Sequence, residues 1–543
     1  MLLVGCESPS TAATPTPISE ATSQVSNPPT LQPSTPPTFQ PSNPPTLQPS
    51  NPSLPQGGIA ALGLVGQPDS LNPITTNDSA LRELTPLLFD TLLHVDPNTA
   101  QLQPGLAESW SYSNDGKKVV FHLPAGLKWG DGRPLTAASI AASLKATEHP
   151  ALLAFSQISA LDAETLELTF ARIDCAAVTT LAQLPLLPAS AVLEPIPVGS
   201  GPFKIAEWSE NKRTLSLTGN RHYSGPAPLL DGLTVRFIAE DEVDVALSEG
   251  QFDAIGPLQP KIHAQTGSPK SKIFTELVYP APQMIYLAIN YAPKNTEAVA
   301  PEVREALLLA LDRPALLAEV LAGDGQLLAG SLLPGHWAAQ ADLTWPAYDP
   351  KAARSLLRQA GLRDEDGDGW LDQDGRRLEL FVRTRGDKAL MQDLAWLASS
   401  YYRDLGLFVR ADLMSFTDTV DRLFKHDFDM AVFSWPLTPD PDQRLFWHSS
   451  ENTTGQGLNF TSYDNPALDR LLDRAVAVPG CDSEQRAKIY NEIQETLAVE
   501  RPVDFLFAPN RHILVETRLH GLNPGPFAPF TWNVSEWYLQ EGE

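Results

Sequence analysis

Four aspartates and a glycine have the most explicit chemical spacing in the chain. Asp364, Asp366, Asp368 and Asp372 stand at positions 1, 3, 5 and 9 of a loop with Gly369 at position 6, the order in which carboxylates wrap a calcium ion around a glycine turn. Position 12, where such a loop supplies a bidentate glutamate, is Gly375. Two readings stand side by side, a structural Ca²⁺ site and an unmetallated acidic turn, and neither bears on ligand choice.

The other spacings exclude more chemistry than they offer. Gly199-Ser200-Gly201 lacks the G-x-S-x-G spacing of a nucleophilic serine and the Lys-Ser/Thr ending of a phosphate loop, so it reads as a tight turn. The ten histidines show no His-Glu-x-x-His or other close metal spacing, and His94, His122 and His222 read as ordinary surface or packed residues. With no nucleophile, base and orienting group in recognisable spacing, a hydrolase is disfavoured and no catalytic residue is expected. The run from Asp429 to Asp442 suggests binding instead. A strand delivers Trp435 to a proline-rich turn, where its ring can form an apolar wall while Asp440 or Asp442 accepts hydrogen bonds from a cationic group.

Composition narrows the partners. The 65 acidic and 39 basic side chains leave a net charge of −26, which repels nucleic acid phosphates and anionic lipid, so nucleic acid is not an expected partner. No run of apolar residues is long enough to span a bilayer as a helix. Of the 50 prolines, 14 fall in the first 58 residues, where Glu7 and Glu20 are the only charged side chains. The chain therefore has two compositions, a segment that cannot bury a core and a body long enough for two or three lobes.

Within the first segment, Leu3-Val4-Gly5-Cys6 followed by a polar Pro/Thr/Ser-rich run resembles a bacterial lipoprotein cleavage site, which makes Cys6 the lipidated residue. Only five residues precede Cys6, fewer than a basic start and an apolar stretch require, so the precursor is expected to begin upstream or its start to be trimmed or misassigned. Residues 27–50 are three copies of an eight-residue unit, Asn/Thr-Pro-Pro-Thr-Leu/Phe-Gln-Pro-Ser. Proline removes backbone donors and fixes φ, so this segment reads as an extended stalk of about 3.1 Å per residue. A ligand for proline-binding domains and an inert insertion are the rival readings. Three cysteines support neither a disulfide framework nor a Cys-rich zinc site, and Cys175 and Cys481 are read as buried free thiols rather than a bridge.

The elements that must position these residues begin after Gly57-Gly58, where Ile59 to Val65 forms an apolar strand-like run. Asn114-Asp115-Gly116-Lys117 between two aromatic and β-branched runs predicts a hairpin. Thr136 ahead of an alanine-rich stretch ending at Lys145 predicts a helix with Thr136 as N-cap. The local signals indicate mixed α and β structure.

A series of ordered blocks resembles one family, the extracellular solute-binding proteins of the oligopeptide, dipeptide and nickel type that feed ABC importers. The series opens with Asp69-Ser70-Leu71-Asn72-Pro73 and Leu88-Phe89-Asp90-Thr91-Leu92-Leu93, and continues through Pro104 to Trp110 and Phe121 to Thr136. It goes on through Gly199-Ser200-Gly201-Pro202-Phe203, Asn220-Arg221-His222-Tyr223, Leu287 to Asn290, Val303 to Leu307, Ala310 to Arg313, Ala352 to Gly361 and Asn459 to Asp469. The resemblance covers nearly all of residues 59–540. It implies an α/β, two-lobed periplasmic-binding-protein-like fold with an extra accessory domain and a cleft that closes about a hinge. By correspondence, residues 57–97, 199–278 and 505–543 form lobe I, 98–198 the accessory domain and 279–504 lobe II. Residues 1–6 are then a lipoprotein-signal remnant and 7–56 a disordered linker.

What the resemblance implies about ligands is coarser. Peptide-binding relatives hold the peptide ammonium with an aspartate a few residues after a tryptophan matching Trp435, where this chain has Leu437 and Thr438. Arg383 and Arg385 lie near the position of a carboxylate-binding arginine in dipeptide-binding relatives, with surface ion pairs as the competing reading. Tyr286 and Asn290 on the hinge-side strand, and Trp447 and Asn459 around the turn, are further cleft candidates against a competing role in core packing. The expected protein is a monomeric, lipid-anchored binding component outside the cytoplasm, with no cofactor beyond the Ca²⁺ alternative. It would deliver a peptide or other small solute to a permease driven by a separate ATPase. A surface sensor or adhesion module on the same fold is the alternative, distinguishable by whether permease and ATPase genes or a receptor gene lie next to its own.

Overall fold

In the computed structural model, residues 54–76, 78–260, 274–292 and 300–540 are described; Cys6 and the proline-rich repeat lie outside them. The chain enters the sheet at β1 (Ile59–Val65) and turns into α1 (Ser79–Leu88). Asp78 caps α1 by accepting from the amides of Ala80 and Leu81, and Ala80, Leu81, Leu84, Leu87 and Leu88 form its buried stripe. A separate antiparallel sheet follows: β2 (Ser109–Tyr112), β3 (Lys118–His122), β4 (Phe155–Ala160) and β5 (Thr165–Phe170), in the order β2-β3-β5-β4. The Asp115-Gly116 turn joins β2 to β3 as its sequence predicts, with Gly116 at φ 68°. Between β3 and β4 runs α2 (Ala137–Thr147), whose N-cap is Thr136 in a reciprocal box with Ser139. After β5 comes the short α3 (Cys175–Thr180).

The chain then returns to the main sheet through β6 (Phe203–Trp208), β7 (Thr214–Gly219), β8 (Gly232–Ile238), β9 (Ala254–Leu258) and β10 (Phe274–Pro280). Next are β11 (Gln283–Ile289), β12 (Gly325–Leu327), α4 (Pro350–Gln359), β13 (Glu379–Arg385), α5 (Ala389–Asp404), β14 (Phe408–Met414) and β15 (Met430–Pro436). The helices α6 (Pro466–Val476) and α7 (Ser483–Glu500) precede the long β16 (Val503–Glu516). The main sheet has twelve strands in the order β14-β13-β15-β11-β16-β9-β1-β8-β7-β6, with β10 and β12 also paired to β16.

The buried apolar side chains separate along the chain. One core joins β1 and α1 to β7, β8 and the C-terminal residues Phe530 and Trp537. A second lies within residues 92–186 around Phe121, Ile140 and Leu166. Two more fill the part built from β11 through α7, one around α5 and Tyr402, the other around Tyr463, Tyr490 and Phe505. Among the described residues, only β16 belongs to both halves of the sheet. Its first residues pair with β11, Ala288 opposite Val503, and its last pair with β9 and β10, Ala254 opposite Val515 and Phe274 opposite Glu516.

One expectation is corrected here. Cys175 and Cys481 are not free thiols but a disulfide, with Cα atoms 5.4 Å apart across 306 residues of sequence. The bridge fastens the first turn of α3 to the connection between α6 and α7, where the hairpin tip also lands. A Cβ on Gly116 would stand 2.8 Å from Pro479 Cα. Sequence distance concealed the pairing because it is the packing of residues 92–186 against α6 and α7 that brings the sulfurs together. Peptide mapping of unreduced protein is expected to recover Cys175 linked to Cys481. Cys175→Ala is expected to lower the stability by about 2–4 kcal/mol, read from the denaturant midpoint.

Candidate functional site

A cavity of about 370 Å³ opens where these parts meet. One wall is α1 and the segment after it, with Leu81, Glu83, Phe89 and Asp90; another is Ala182, Gln183 and Pro185 beyond α3. Pro282 ahead of β11 and Leu437 and Pro439 beyond β15 close a third side, and Arg511 of β16 with Phe527 and Trp532 of the C-terminal loop closes a fourth. A concave space that combines apolar surface with converging polar groups is the usual form of a small-ligand site.

The end of α1 is held in place by the Gly199-Ser200-Gly201 turn. Gly201 donates its amide to the Leu88 carbonyl at 3.0 Å, and a Cβ at that position would stand 2.6 Å from the Leu88 carbonyl carbon. Glycine is therefore required by close approach, and this approach fixes where Phe89 and Asp90 point. Asp90 is 7% exposed, lies beside the Ser200 hydroxyl and has no ion-pair partner among the described residues. Burial lifts its carboxyl from the ordinary aspartate range to about 6, with the Ser200 hydroxyl acting against the rise. Tyr223 beside it is pushed up to about 12, by burial first and by the Asp90 charge second.

One helix turn and more towards the N-terminus of α1, Glu83 is 2% exposed and accepts from the Phe530 amide at 2.8 Å. Burial raises its pKa, while the guanidinium groups of Arg511 and Arg82 pull it back. Arg511 has its Nε buried and donating to no acceptor. The cavity thus carries carboxyls and guanidiniums of which some polar atoms are left without a partner inside the protein. Unpaired buried groups cost stability unless something else pairs them.

None of the nine side chains proposed from sequence for the ligand is among those lining this cavity. Asp440 is buried in a two-pronged pair with Arg486, at 2.8 and 3.0 Å, and also accepts from Thr179 Oγ1 at 2.7 Å. Burial alone would raise its pKa, but Arg486 holds it below the ordinary value. Asp442 is paired with Arg444 at 2.7 Å, and Arg444 reaches Asp174 at 2.8 Å. Both acids are committed to arginines, and the two pairs are tied to α3 by Thr179, which donates to Asp440, and by Asp174, which accepts from Arg444. Trp435 packs on Phe446 with ring centroids 4.4 Å apart, and Tyr286 lies beside Phe433 at 6.0 Å.

The remaining candidates are similarly engaged. Asn290 donates to the carbonyls of His426 and Phe428, each at 2.8 Å, Asn459 to that of Tyr463 at 2.8 Å, and Trp447 Nε1 to Gln443 at 3.0 Å. Arg383 pairs with Asp412 at 3.1 Å, and Arg385 with Asp387 at 2.6 Å while lying over the Phe416 ring. The run after Trp435 reaches the cavity through Leu437 and Pro439 instead. In the acidic loop, Asp364, Asp366 and Asp372 bring oxygens within 4.8 Å of one another, while Asp368 turns to Arg377. The oxygens of the three accept from the loop amides of Gly367, Gly369, Asp368 and Glu365 at 2.8 to 3.1 Å.

The signals for the cavity residues were present in the sequence. Glu83 sits on the otherwise apolar face of α1, and Asn510-Arg511-His512 interrupts the apolar run of β16. A charge at a buried position of the pattern is more informative than an aromatic on a turn.

Comparison with known proteins agrees with this architecture. The family model of bacterial extracellular solute-binding proteins, family 5, middle part, matches residues 101–457. The oligopeptide-binding protein AppA of Bacillus subtilis is 27% identical over 89% of this chain and 92% of its own length. The structure of AppA in complex with a nonapeptide covers 90% of this chain and 100% of its own, with a TM-score of 0.69 and 25% identity. NikZ from Campylobacter jejuni, solved with Ni(L-His), covers 88% and 99% with a TM-score of 0.69 at 22% identity.

The raised pKa of Asp90 has a sign that can be checked. The folded protein favours the protonated carboxyl, so this contribution to stability is fully present below about pH 4 and is lost as the pH rises through about 6. Asp90→Asn is expected to melt higher than the parent near neutral pH without ligand, by an amount of up to about 3 kcal/mol. The difference should shrink towards zero on acidification. A second variant, Arg486→Ala, is expected to lose about 3–5 kcal/mol by leaving Asp440 buried and unpaired.

Proposed function

The chain belongs to the bacterial extracellular solute-binding proteins of family 5, the binding components that serve ABC importers, and from that premise we propose that the cavity described above captures peptides. The observation that supports this reading is the lining itself. Apolar and aromatic surface from Phe89, Phe527 and Trp532 accompanies both carboxyl and guanidinium groups, a combination suited to a backbone with a charge at each end and variable side chains.

Capture proceeds by closure of the two lobes over the solute, which stabilises the form a permease recognises. The hydrolysis that drives import belongs to a separate ATPase. The protein acts as a monomer, held on the outer face of the membrane by lipid on Cys6 and lifted from it by the proline-rich stalk. Its support is the small-residue run before Cys6 and the repeat behind it.

Mass spectrometry of solute released from purified protein, followed by a thermal-shift panel, tests the ligand class. Peptides are expected to raise the melting temperature, with a stabilisation of about 2.7 kcal/mol at a hundredfold excess over Kd. Stabilisation by oligosaccharides or metal chelates and by no peptide would reverse the reading. For the anchor, Cys6→Ala is expected to move the protein expressed with a lipoprotein leader from the membrane to the soluble fraction.

A further inference from the structure

The polar groups of the cavity are ordered along α1. Glu83 stands in the N-terminal half of the helix, with Arg82 before it and Arg511 beside it. Asp90 stands just beyond the C-terminus, seven residues further on. The guanidiniums therefore mark one end of the cavity wall and a lone carboxyl the other.

Each end is left without an ionic partner among the described residues. Asp90 is buried with only the Ser200 hydroxyl beside its carboxyl, and the buried Arg511 Nε has no acceptor among them. The helix reinforces this polarity, since its last carbonyls carry partial negative charge towards Asp90 and favour a cation there. Glu83 shares the arginine end, where burial raises its pKa and Arg511 and Arg82 pull it back, so two guanidiniums there face one carboxyl. Tyr223, whose phenol stays protonated beside Asp90, supplies no competing charge.

We propose that Asp90 binds the ammonium group of a short peptide and that Arg511, with Arg82, binds its terminal carboxylate, so that the peptide lies along α1 with its N-terminus at the C-terminal end of the helix. This rests on the peptide reading above and adds direction to it. The acid that takes the ammonium is then supplied by the segment after α1, since Asp440 and Asp442 are bound to Arg486 and Arg444.

The test is a calorimetric titration of parent protein, Asp90→Asn and Arg511→Gln with four versions of one bound tripeptide: free, N-acetylated, C-amidated and doubly blocked. With the parent, N-acetylation and C-amidation are each expected to weaken binding by roughly 10-fold or more. Asp90→Asn should weaken the free peptide similarly while leaving the N-acetylated one unchanged, and Arg511→Gln should show the same relation to C-amidation. Because the blocked peptides are measured on the parent, a variant that folds poorly does not decide the result. Tripeptides that bind the parent equally well free and blocked would overturn the assignment of Asp90 and Arg511 and leave the peptide reading intact. If peptides of no length bind, the peptide reading fails and the assignment fails with it.

Discussion

The structure depends on a single strand being shared by both halves of its sheet. Residues Val503–Glu516 form a continuous strand that pairs at one end with Gln283–Ile289 and at the other with Ala254–Leu258 and Phe274–Pro280. Every backbone donor and acceptor of a buried strand needs a partner, so neither half can complete its ladder without this segment. Side chains strengthen the join. His512 lies between Glu276 and Asp324, 2.6 Å from each, and Asn510 donates to Asp324 at 2.9 Å. Arg511, between these two residues, lines the cavity, so the strand that connects the halves also supplies the cavity with a cation.

A second junction lies on the far side of the cavity and is built from different chemistry. Cys175 and Cys481 join α3 to the turn after α6, Thr179 and Arg486 converge on Asp440, and Arg444 spans Asp442 and Asp174. Two buried or half-buried arginines, each holding carboxylates in hydrogen-bonding geometry, are costly to desolvate and strongly destabilising to break. This is why acids placed just beyond Trp435, in a position that invites a ligand, are structural. The residues that reach the cavity from the same turn, Leu437 and Pro439, offer it apolar surface.

The cavity is built at some expense of stability. Asp90 and Glu83 are carboxyls placed where burial disfavours their charge, and each is held there by backbone contacts rather than by a dedicated ion pair. The Leu88 carbonyl bonded to Gly201 and the Asp90 carbonyl bonded to the Leu186 amide hold the segment in place. Rigid placement of an unpaired group makes a site ready for a ligand, because the ligand does not have to order it.

The broad architecture was legible in local residue patterns and their order. Local periodicity and turn chemistry placed the Asp115-Gly116 hairpin, the Thr136 cap and the strand after Gly58, and the ordered blocks from Asp69 to Asp469 identified a two-lobed binding fold. These are legible because they depend on neighbours within a few residues, or on the order of such segments. The buried-position charges Glu83 and Arg511 show in the pattern of their elements, whereas the place of Asp90 on the cavity wall was decided by tertiary packing. Asp440 and Asp90 are both aspartates close to apolar runs, and nothing local separates them. Arg486, 46 residues from Asp440, satisfies one of them, while no arginine reaches the other. The pairing of Cys175 with Cys481 across 306 residues was hidden in the same way. Partners distant in sequence decide whether a polar group holds the fold together or remains open to a ligand, and only the packed chain brings those partners into contact.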